Sequence, residues 1–271
     1  MFTPQGPTLR ELAVQALSSV EHGYDLLAPK FDHTPFRTPE SILDAVGGAL
    51  RPMGPFESGL DLCCGTGAGM DVLATLCRDN VTGVDISAGM LTVGRERLPA
   101  GGPPSVIGEH GPSVVGERGP AAIGEHGPSV AWVRGDARAL PFGPAFDLVV
   151  SFGAFGHFLP RELPGLFAQV HSVLRPGGRF AFPIAAPPRP SSPWYWALLG
   201  FDAAMRVRNA LWRPPFVMYY RAFRLGDVQR ELAWAGFAVE LHALSEFGYR
   251  RDGSPRCRMV VATRGGGATP V

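Results

Sequence analysis

A glycine-rich run in the first third of the chain could hold a ligand against bare backbone. Residues 59–70 read GLDLCCGTGAGM, which is typical of a strand that turns sharply into a helix. Glycine lets the chain bend tightly and approach a ligand, and the following helix N-terminus favours anionic groups. Dinucleotide-binding turns have glycines at their first, third and sixth positions, but the sixth position counted from Gly65 is Met70. A dinucleotide is therefore the weaker interpretation of this turn.

Two acidic residues follow the next two predicted strands and could bind a nucleoside. Asp85 ends the second strand, where its carboxylate can accept hydrogen bonds from both hydroxyls of a ribose. An aspartate there is also a common strand-ending or helix-capping residue, and that alternative stays open. Asp136 follows the third strand and could accept a hydrogen bond from the exocyclic amine of a purine. Open α/β sheets bind ligands beyond the carboxyl ends of their strands, so we expect a nucleoside-containing cofactor at this edge.

His157 is the best candidate for a general base. It comes shortly after the fourth predicted strand, and an unperturbed imidazole titrates near pH ~6.5. The alternative is a histidine that caps the following helix. His33 and Tyr24, both near the N-terminus, are weaker candidates.

The elements that must position these groups alternate along the chain. Strand-like apolar runs occur at 60–63, 81–84, 130–133, 147–150, 179–184, 238–241 and 258–263. Helical patterns separate most of them, and one, at 163–174, ends in the breaker Pro176-Gly177-Gly178. The alternation predicts an α/β fold with a mainly parallel sheet covered by helices on both faces.

Residues 1–55 are predicted to form N-terminal helices and a lid ahead of the main domain, residues 56–264. Apolar spacing predicts an amphipathic helix over 9–20 and a short helix over 42–50. The prolines between them predict an extended lid over 21–40. Residues 265–271 are predicted to be a disordered tail.

Two insertions interrupt the alternation. The first, 100–129, contains three tandem octapeptides at 105–128 (SVIGEHGP, SVVGERGP, AAIGEHGP) and is predicted to be a solvated loop. Its histidines at 110 and 126 are explained by repeat expansion, and we predict no metal site. The second, 187–222, is proline-rich and then aromatic, which predicts a helical cap. The cap either closes an exposed edge of the core or covers a pocket for an apolar substrate.

Composition excludes several classes of protein. With 25 basic and 24 acidic residues and 45% apolar residues, the chain is neither disordered as a whole nor a nonspecific nucleic-acid binder. Its four cysteines form neither a metal-finger pattern nor a disulfide framework. These thiols, and an N-terminus without signal-peptide features, predict a cytoplasmic protein. No uncharged apolar run is long enough for a spanning helix, so we expect no integral membrane association.

The ordered set of motifs resembles the class I S-adenosylmethionine-dependent methyltransferases over roughly residues 24–264. The resemblance implies a seven-stranded Rossmann-like methyltransferase fold with an N-terminal helical lid and the helical cap as an insertion. The residues it implies for S-adenosylmethionine binding are Tyr24, Asp61, Cys63, Gly65, Gly67, Asp85, Ile86, Met90, Asp136, Ala137, Ser151 and Phe152. The chain departs from the family at Cys63, where glycine is usual.

The resemblance implies transfer of a methyl group to a small-molecule acceptor, an apolar or aromatic oxygen, nitrogen or carbon nucleophile, by in-line displacement. No nucleic-acid substrate is expected, because the fourth strand lacks the Asn/Asp-Pro-Pro-aromatic run used on a flipped base. Three alternatives stay open: a nicotinamide-dependent oxidoreductase, a non-catalytic cofactor-binding protein, and a peripheral membrane protein that uses segment 194–224. The sequence determines neither the acceptor nor the oligomeric state.

We predict that deleting residues 105–128 leaves cofactor affinity nearly unchanged. Family topology implies that this loop lies at the sheet edge opposite the cofactor. Calorimetric titration of the deletion variant tests this, and a loss beyond about tenfold (about 1.4 kcal/mol) would contradict it.

Overall fold

The structure, a computed structural model, describes residues 5–34, 36–98, 127–219 and 223–265. The octapeptide repeat up to residue 126 and the predicted tail from residue 266 lie outside the described residues.

Helices and strands alternate through most of the chain. The helices are α1 (Leu9–Leu17), α2 (Val20–Leu27), α3 (Glu40–Leu50), α4 (Ala68–Leu76), α5 (Ala88–Arg97), α6 (Leu163–Val173), α7 (Pro193–Leu211) and α8 (Leu225–Trp234). The strands are β1 (Phe56–Leu62), β2 (Cys77–Asp85), β3 (Ser129–Arg134), β4 (Phe146–Val150), β5 (Leu174–Ala185), β6 (Phe237–Ala243) and β7 (Cys257–Arg264). All seven predicted strands are present, most of them longer than their apolar runs.

The strands form one sheet in the order β3-β2-β1-β4-β5-β7-β6. Only the pairings made by β7 are antiparallel. The seven-stranded, mainly parallel sheet predicted from the sequence is therefore confirmed. Because β1, β2, β3 and β4 are parallel, their carboxyl ends meet at a single edge of the sheet.

Alternate residues of each strand face two apolar layers. In β4, Val149 packs with the cluster that contains Phe167 of α6 and Val228 of α8. Its neighbours Leu148 and Val150 pack on the opposite side, against the layer formed by α3 and α4. Two buried faces explain why the central strand β4 is a continuous apolar run over 148–150 and does not alternate. Among the described helices, none is both long and apolar enough to cross a membrane.

The N-terminal region differs from the prediction in two ways. The predicted helix over 9–20 is broken at Ser18, because the Oγ of Ser19 accepts a hydrogen bond from the backbone of His22 and starts α2 as a new helix. The predicted extended lid over 21–40 is wrong, since α2 and a 3₁₀ helix at Ala28–His33 occupy its first half. Pro29 is tolerated because it lies in the first turn of that 3₁₀ helix, where no backbone donor is lost.

Candidate functional site

The turn after β1 has a backbone conformation that most residues avoid. Gly65 and Gly67 have φ angles of +53° and +89°. A Cβ on Gly65 would meet nothing within 4 Å, whereas one on Gly67 would overlap the ring of Trp132. The two glycines therefore serve different purposes: Gly65 leaves space in front of the turn, and Gly67 lets the turn pack on β3 behind it.

Asp61, near the end of β1, is a buried carboxylate that lacks a partner. It is 1% exposed, and neither carboxylate oxygen has a hydrogen bond of normal geometry to the described residues. Burial raises the pKa of Asp61 well above its usual range, and the negative charges of Asp85 and Asp71 raise it further. The amides of Met70 and Gly69 offset only part of that rise. Such a group favours a cation beside it.

Asp85 is held in a fixed orientation at the end of β2. One carboxylate oxygen accepts a hydrogen bond from the amide of Gly65 (2.8 Å), and the other accepts one from the amide of Ser87 (2.9 Å). Each oxygen keeps a second lone pair for a ligand. Burial raises the pKa of Asp85, and these amides oppose the rise. The alternative of a simple helix cap is not what the structure shows, because Ser87 is the residue that caps α5.

Asp136, after β3, is paired within its own loop. The guanidinium of Arg138 donates to both of its carboxylate oxygens at 2.7–3.1 Å. This hydrogen bonding lowers the pKa of Asp136, so the group is an anion at neutral pH. Arg138 also donates to Glu162 at 3.0 Å, which ties the loop to the segment before α6.

A cavity of about 510 Å³ opens at this edge of the sheet, within the usual range for small-molecule sites. The predicted site residues that line it are Tyr24, Asp61, Cys63, Gly65, Asp85, Ile86, Met90, Asp136, Ala137, Phe152 and His157. Gly67 and Ser151 do not line it. The Oγ of Ser151 donates to the carbonyl of Leu62 (2.8 Å), which joins β4 to β1 inside the sheet. His33 is not part of the lining either.

The N-terminal helices cover the cavity. Two aspartates, which the sequence did not single out, hydrogen-bond these helices to the loops at the edge of the sheet. Asp25 accepts hydrogen bonds from the Oγ of Ser87 (2.6 Å) and the amide of Gly89 (2.9 Å). Asp32 accepts one from the Oγ of Thr66 in the glycine-rich turn (2.7 Å). The prolines and the family resemblance predicted a lid in this region, but no local spacing singles out these two aspartates.

His157 and Tyr24 form a pair at the wall of the cavity. The Nδ1 of His157 is 2.7 Å from the carbonyl of Val217, and its Nε2 is 2.8 Å from the phenolic oxygen of Tyr24. A carbonyl only accepts, so Nδ1 carries the proton and Nε2 accepts from the tyrosine hydroxyl. Burial lowers the pKa of His157, which keeps the ring neutral at neutral pH. A neutral imidazole whose unprotonated ring nitrogen faces a hydroxyl group can serve as a base.

The aromatic cap insertion contributes to the cavity through the segment after α7. Pro214, Pro215 and Val217 line the cavity, and Phe216 packs with Tyr24 and Met205. These contacts favour the pocket-covering alternative for this segment. Among the described residues, no group of three or more His, Cys, Asp or Glu could hold a metal ion.

Cys63 has a φ of +58° and is the only described non-glycine residue in the left-handed region. The departure from the family's glycine thus falls where glycine is favoured. We predict that Cys63→Gly is more stable than Cys63→Ala by about 1 kcal/mol, because both remove the thiol but only glycine relieves the left-handed strain. Urea unfolding of the two variants measures the difference. An alanine variant as stable as the glycine variant would show that the position is not strained.

Residues 60–182 match a family model described as a methyltransferase domain. An uncharacterised methyltransferase of Synechocystis sp. is 28% identical over 160 residues, which cover 59% of this chain and 60% of the relative. A demethylmenaquinone methyltransferase of Renibacterium salmoninarum is 29% identical over 166 residues, which cover 58% of this chain and 54% of the relative. The chain thus spans little more than half the length of these curated relatives.

Among solved structures, the magnesium protoporphyrin IX methyltransferase of Synechocystis, determined with bound SAH, is similar in fold. It has a TM-score of 0.50 and 19% sequence identity, and the match covers 82% of this chain and 81% of that one. The sheet order and the matched domain are those of the methyltransferase fold, as the motifs predicted.

Proposed function

We propose that this chain is a class I S-adenosylmethionine-dependent methyltransferase and that it transfers the cofactor's methyl group to a small, apolar acceptor that bears a hydroxyl group. One observation carries the acceptor chemistry: a neutral His157, hydrogen-bonded to Tyr24, lies in the same cavity as the carboxylates of Asp61 and Asp85.

The groups around the glycine-rich turn fit S-adenosylmethionine, the cofactor of this family. Asp61, a buried carboxylate without a partner, is suited to the ammonium group of the methionine part. Asp85, held by two amides, is suited to the ribose hydroxyls. The N-terminus of α4 has no side-chain cap, and the residues of its first turn, Ala68 and Gly69, line the cavity, so it is suited to the carboxylate.

When bound, the cofactor supplies a methyl group on a sulfonium, which is already activated for displacement. The protein's part is to exclude water and to hold the acceptor in line with that methyl group, which can contribute roughly 7 to 11 kcal/mol in favourable cases. Asp25 and Asp32 hold the lid helices over the cavity for this purpose. His157 takes the proton that a hydroxyl acceptor must lose, with the Tyr24 hydroxyl placed to relay it.

The apolar character of the acceptor rests on the apolar part of the cavity lining, which comprises Phe31, Phe36, Phe158, Pro215 and Val217. Charged side chains, among them Arg37 and Arg161, line the same cavity. The relative from Renibacterium is named for demethylmenaquinone, an apolar quinone, which supports an acceptor of this kind.

Two experiments test the proposal. Calorimetric titration with S-adenosylmethionine, its demethylated product and NAD separates the methyltransferase from an oxidoreductase, and we expect heat from the first two only.

Transfer of labelled methyl is then measured to apolar phenols and quinols, with their methyl ethers as matched controls in which the hydroxyl is blocked. Transfer to the hydroxyl compounds alone supports the proposal; equal transfer to the ethers would place the accepting atom elsewhere. Cofactor binding with no transfer to any acceptor of this class would contradict it.

A further inference from the structure

Helix α7 carries a large apolar face that nothing in the described structure covers. One face of the helix, at helical spacing, consists of Trp196, Gly200, Ala203, Val207 and Leu211. All five are exposed, and the indole N–H of Trp196 is the one polar side-chain group among them. On this face Trp196, Val207 and Leu211 are 60%, 58% and 80% exposed. Large contiguous apolar surfaces of this kind mark interaction sites.

The opposite face of α7 anchors the helix to the protein. Met205 packs with Phe216 and Tyr219, and the side-chain amide of Asn209 donates to the carbonyl of Phe216 and the hydroxyl of Tyr219, both at 3.0 Å. The exposed apolar face is therefore presented by a helix fixed in orientation.

The charges around this face have one sign. The segment 187–219 contains four arginines, at 189, 206, 208 and 213, and one acidic residue, Asp202, which is buried. No carboxylate of the described residues lies within ion-pair distance of the last three arginines. Arg206 and Arg208 bracket the apolar face by helical position. The guanidinium of Arg206 lies over the Tyr219 ring, and that of Arg208 donates to the carbonyls of Ser18 and Pro214, whereas Arg213 follows the helix in an exposed position.

We propose that the exposed face of α7 docks onto the surface of a lipid bilayer that carries anionic headgroups. Tryptophan, valine and leucine on one side of a helix with arginines beside them is the pattern of helices that lie in the membrane interface. Tryptophan is suited to that depth because its ring is apolar and its N–H is polar. The arginines supply attraction to the anionic headgroups.

Charge argues against a second copy of this chain as the occupant. Two copies joined face to face through α7 would bring the arginines of one against those of the other. Like charges across an interface cost several kcal/mol, whereas an anionic surface attracts every one of them.

Docking in this orientation has a consequence for the cavity. The segment directly after α7 lines the cavity through Pro214, Pro215 and Val217. Because the opposite face of α7 packs on Phe216 and Tyr219 of this segment, the helix lies between a docked bilayer and the cavity cover.

The full chain is tested by co-sedimentation with vesicles of phosphatidylcholine alone and of phosphatidylcholine mixed with phosphatidylglycerol. We expect binding to the anionic vesicles that weakens with added salt. The double variant Trp196→Ser, Leu211→Ser should bind roughly tenfold or more weakly, and Arg213→Gln about fivefold more weakly.

The matched control is Trp234→Ser, which removes an equally exposed tryptophan (74%) on α8. It should bind vesicles as the unmodified protein does.

S-adenosylmethionine titration shows that each variant is folded, and vesicle binding is measured without the cofactor, so failure of this proposal is separate from failure of the proposed function. Absence of binding to anionic vesicles, or equal losses in the α7 and α8 variants, would overturn it. So would a dimer in light scattering that the α7 double variant converts to a monomer, because the occupant would then be a second copy.

Discussion

The variant Asp61→Asn should stabilise the cofactor-free protein while weakening its affinity for S-adenosylmethionine about 100-fold, or about 2.7 kcal/mol. The two effects have one cause: a buried carboxylate without a hydrogen-bond partner, near the negative charges of Asp85 and Asp71. Asparagine keeps the shape and cannot ionise, so the free protein avoids the cost of holding a buried acid away from its ionised form, which is a gain of about 1 kcal/mol. In the complex the same change removes the counter-charge of the cofactor's ammonium group.

Asp71→Asn is the matched control. Asp71 is half-exposed and pairs with Arg97 at 2.6 Å, so this variant changes the same charge nearby without relieving a buried group. We expect it to gain no stability and to change cofactor affinity less than about threefold. Thermal unfolding and calorimetry measure both quantities. A less stable Asp61→Asn protein, or one with unchanged affinity, would contradict the role given to Asp61.

The stability of the cofactor-free protein should also depend on pH through Asp61. Its native-state pKa is raised above that of the unfolded chain, so the native state binds this proton more tightly. As pH rises from about 4, the unfolded state loses the proton first, and stability falls until the native pKa is passed. Asp61→Asn lacks this dependence, so the difference in Tm between the variant and the unmodified protein should grow with pH. Parallel curves would contradict the assignment.

Cofactor binding should release a proton in the same pH window. The ammonium group favours the ionised form of Asp61, so the proton held by the free protein leaves on binding. Calorimetry in two buffers with different ionisation enthalpies measures that release. Asp61→Asn should show none from this position.

The sequence predicted those parts of the molecule that depend on neighbouring residues. The central strands were predictable because they are buried on both faces and are therefore local apolar runs, whereas the edge strands β3 and β6 each bury one residue. Asp85 was predictable because it comes at the end of a strand, and Asp61 because it matches a position of the family motif. The break between α1 and α2 was not, since it depends on whether the backbone prefers the Ser19 cap to a continuous helix.

Contacts between distant segments were outside the reach of sequence patterns. The bond between Tyr24 and His157 joins residues 133 positions apart. The hydroxyl of Ser151, placed beside the cofactor by the family resemblance, bonds instead within the sheet, because the side-chain direction depends on the pleat of β4 and the position of Leu62. The lid contacts of Asp25 and Asp32 likewise require the folded sheet.

We expect His157→Ala to lower kcat by about 10²–10⁴-fold with cofactor affinity changed less than about threefold. The ring is buried, and its Nε2 accepts a hydrogen bond from Tyr24 in the cavity. Without it, the acceptor's proton has no base. His171→Ala is the matched control, because His171 packs on Phe237 outside the cavity lining and should leave kcat unchanged.

The pH dependence of kcat separates a base from a structural histidine. The base must be neutral, so the rate should fall as pH falls through the pKa of His157. Burial lowers that pKa, so the acid limb should lie below the usual value of about 6.5. Tyr24→Phe removes the hydroxyl between this ring and the cavity. If Tyr24 relays the proton, this variant loses kcat while keeping the ring in place through its bond to Val217. If the rate of His157→Ala still falls with falling pH in the same range, the group that titrates there is not His157, and the base must be another residue.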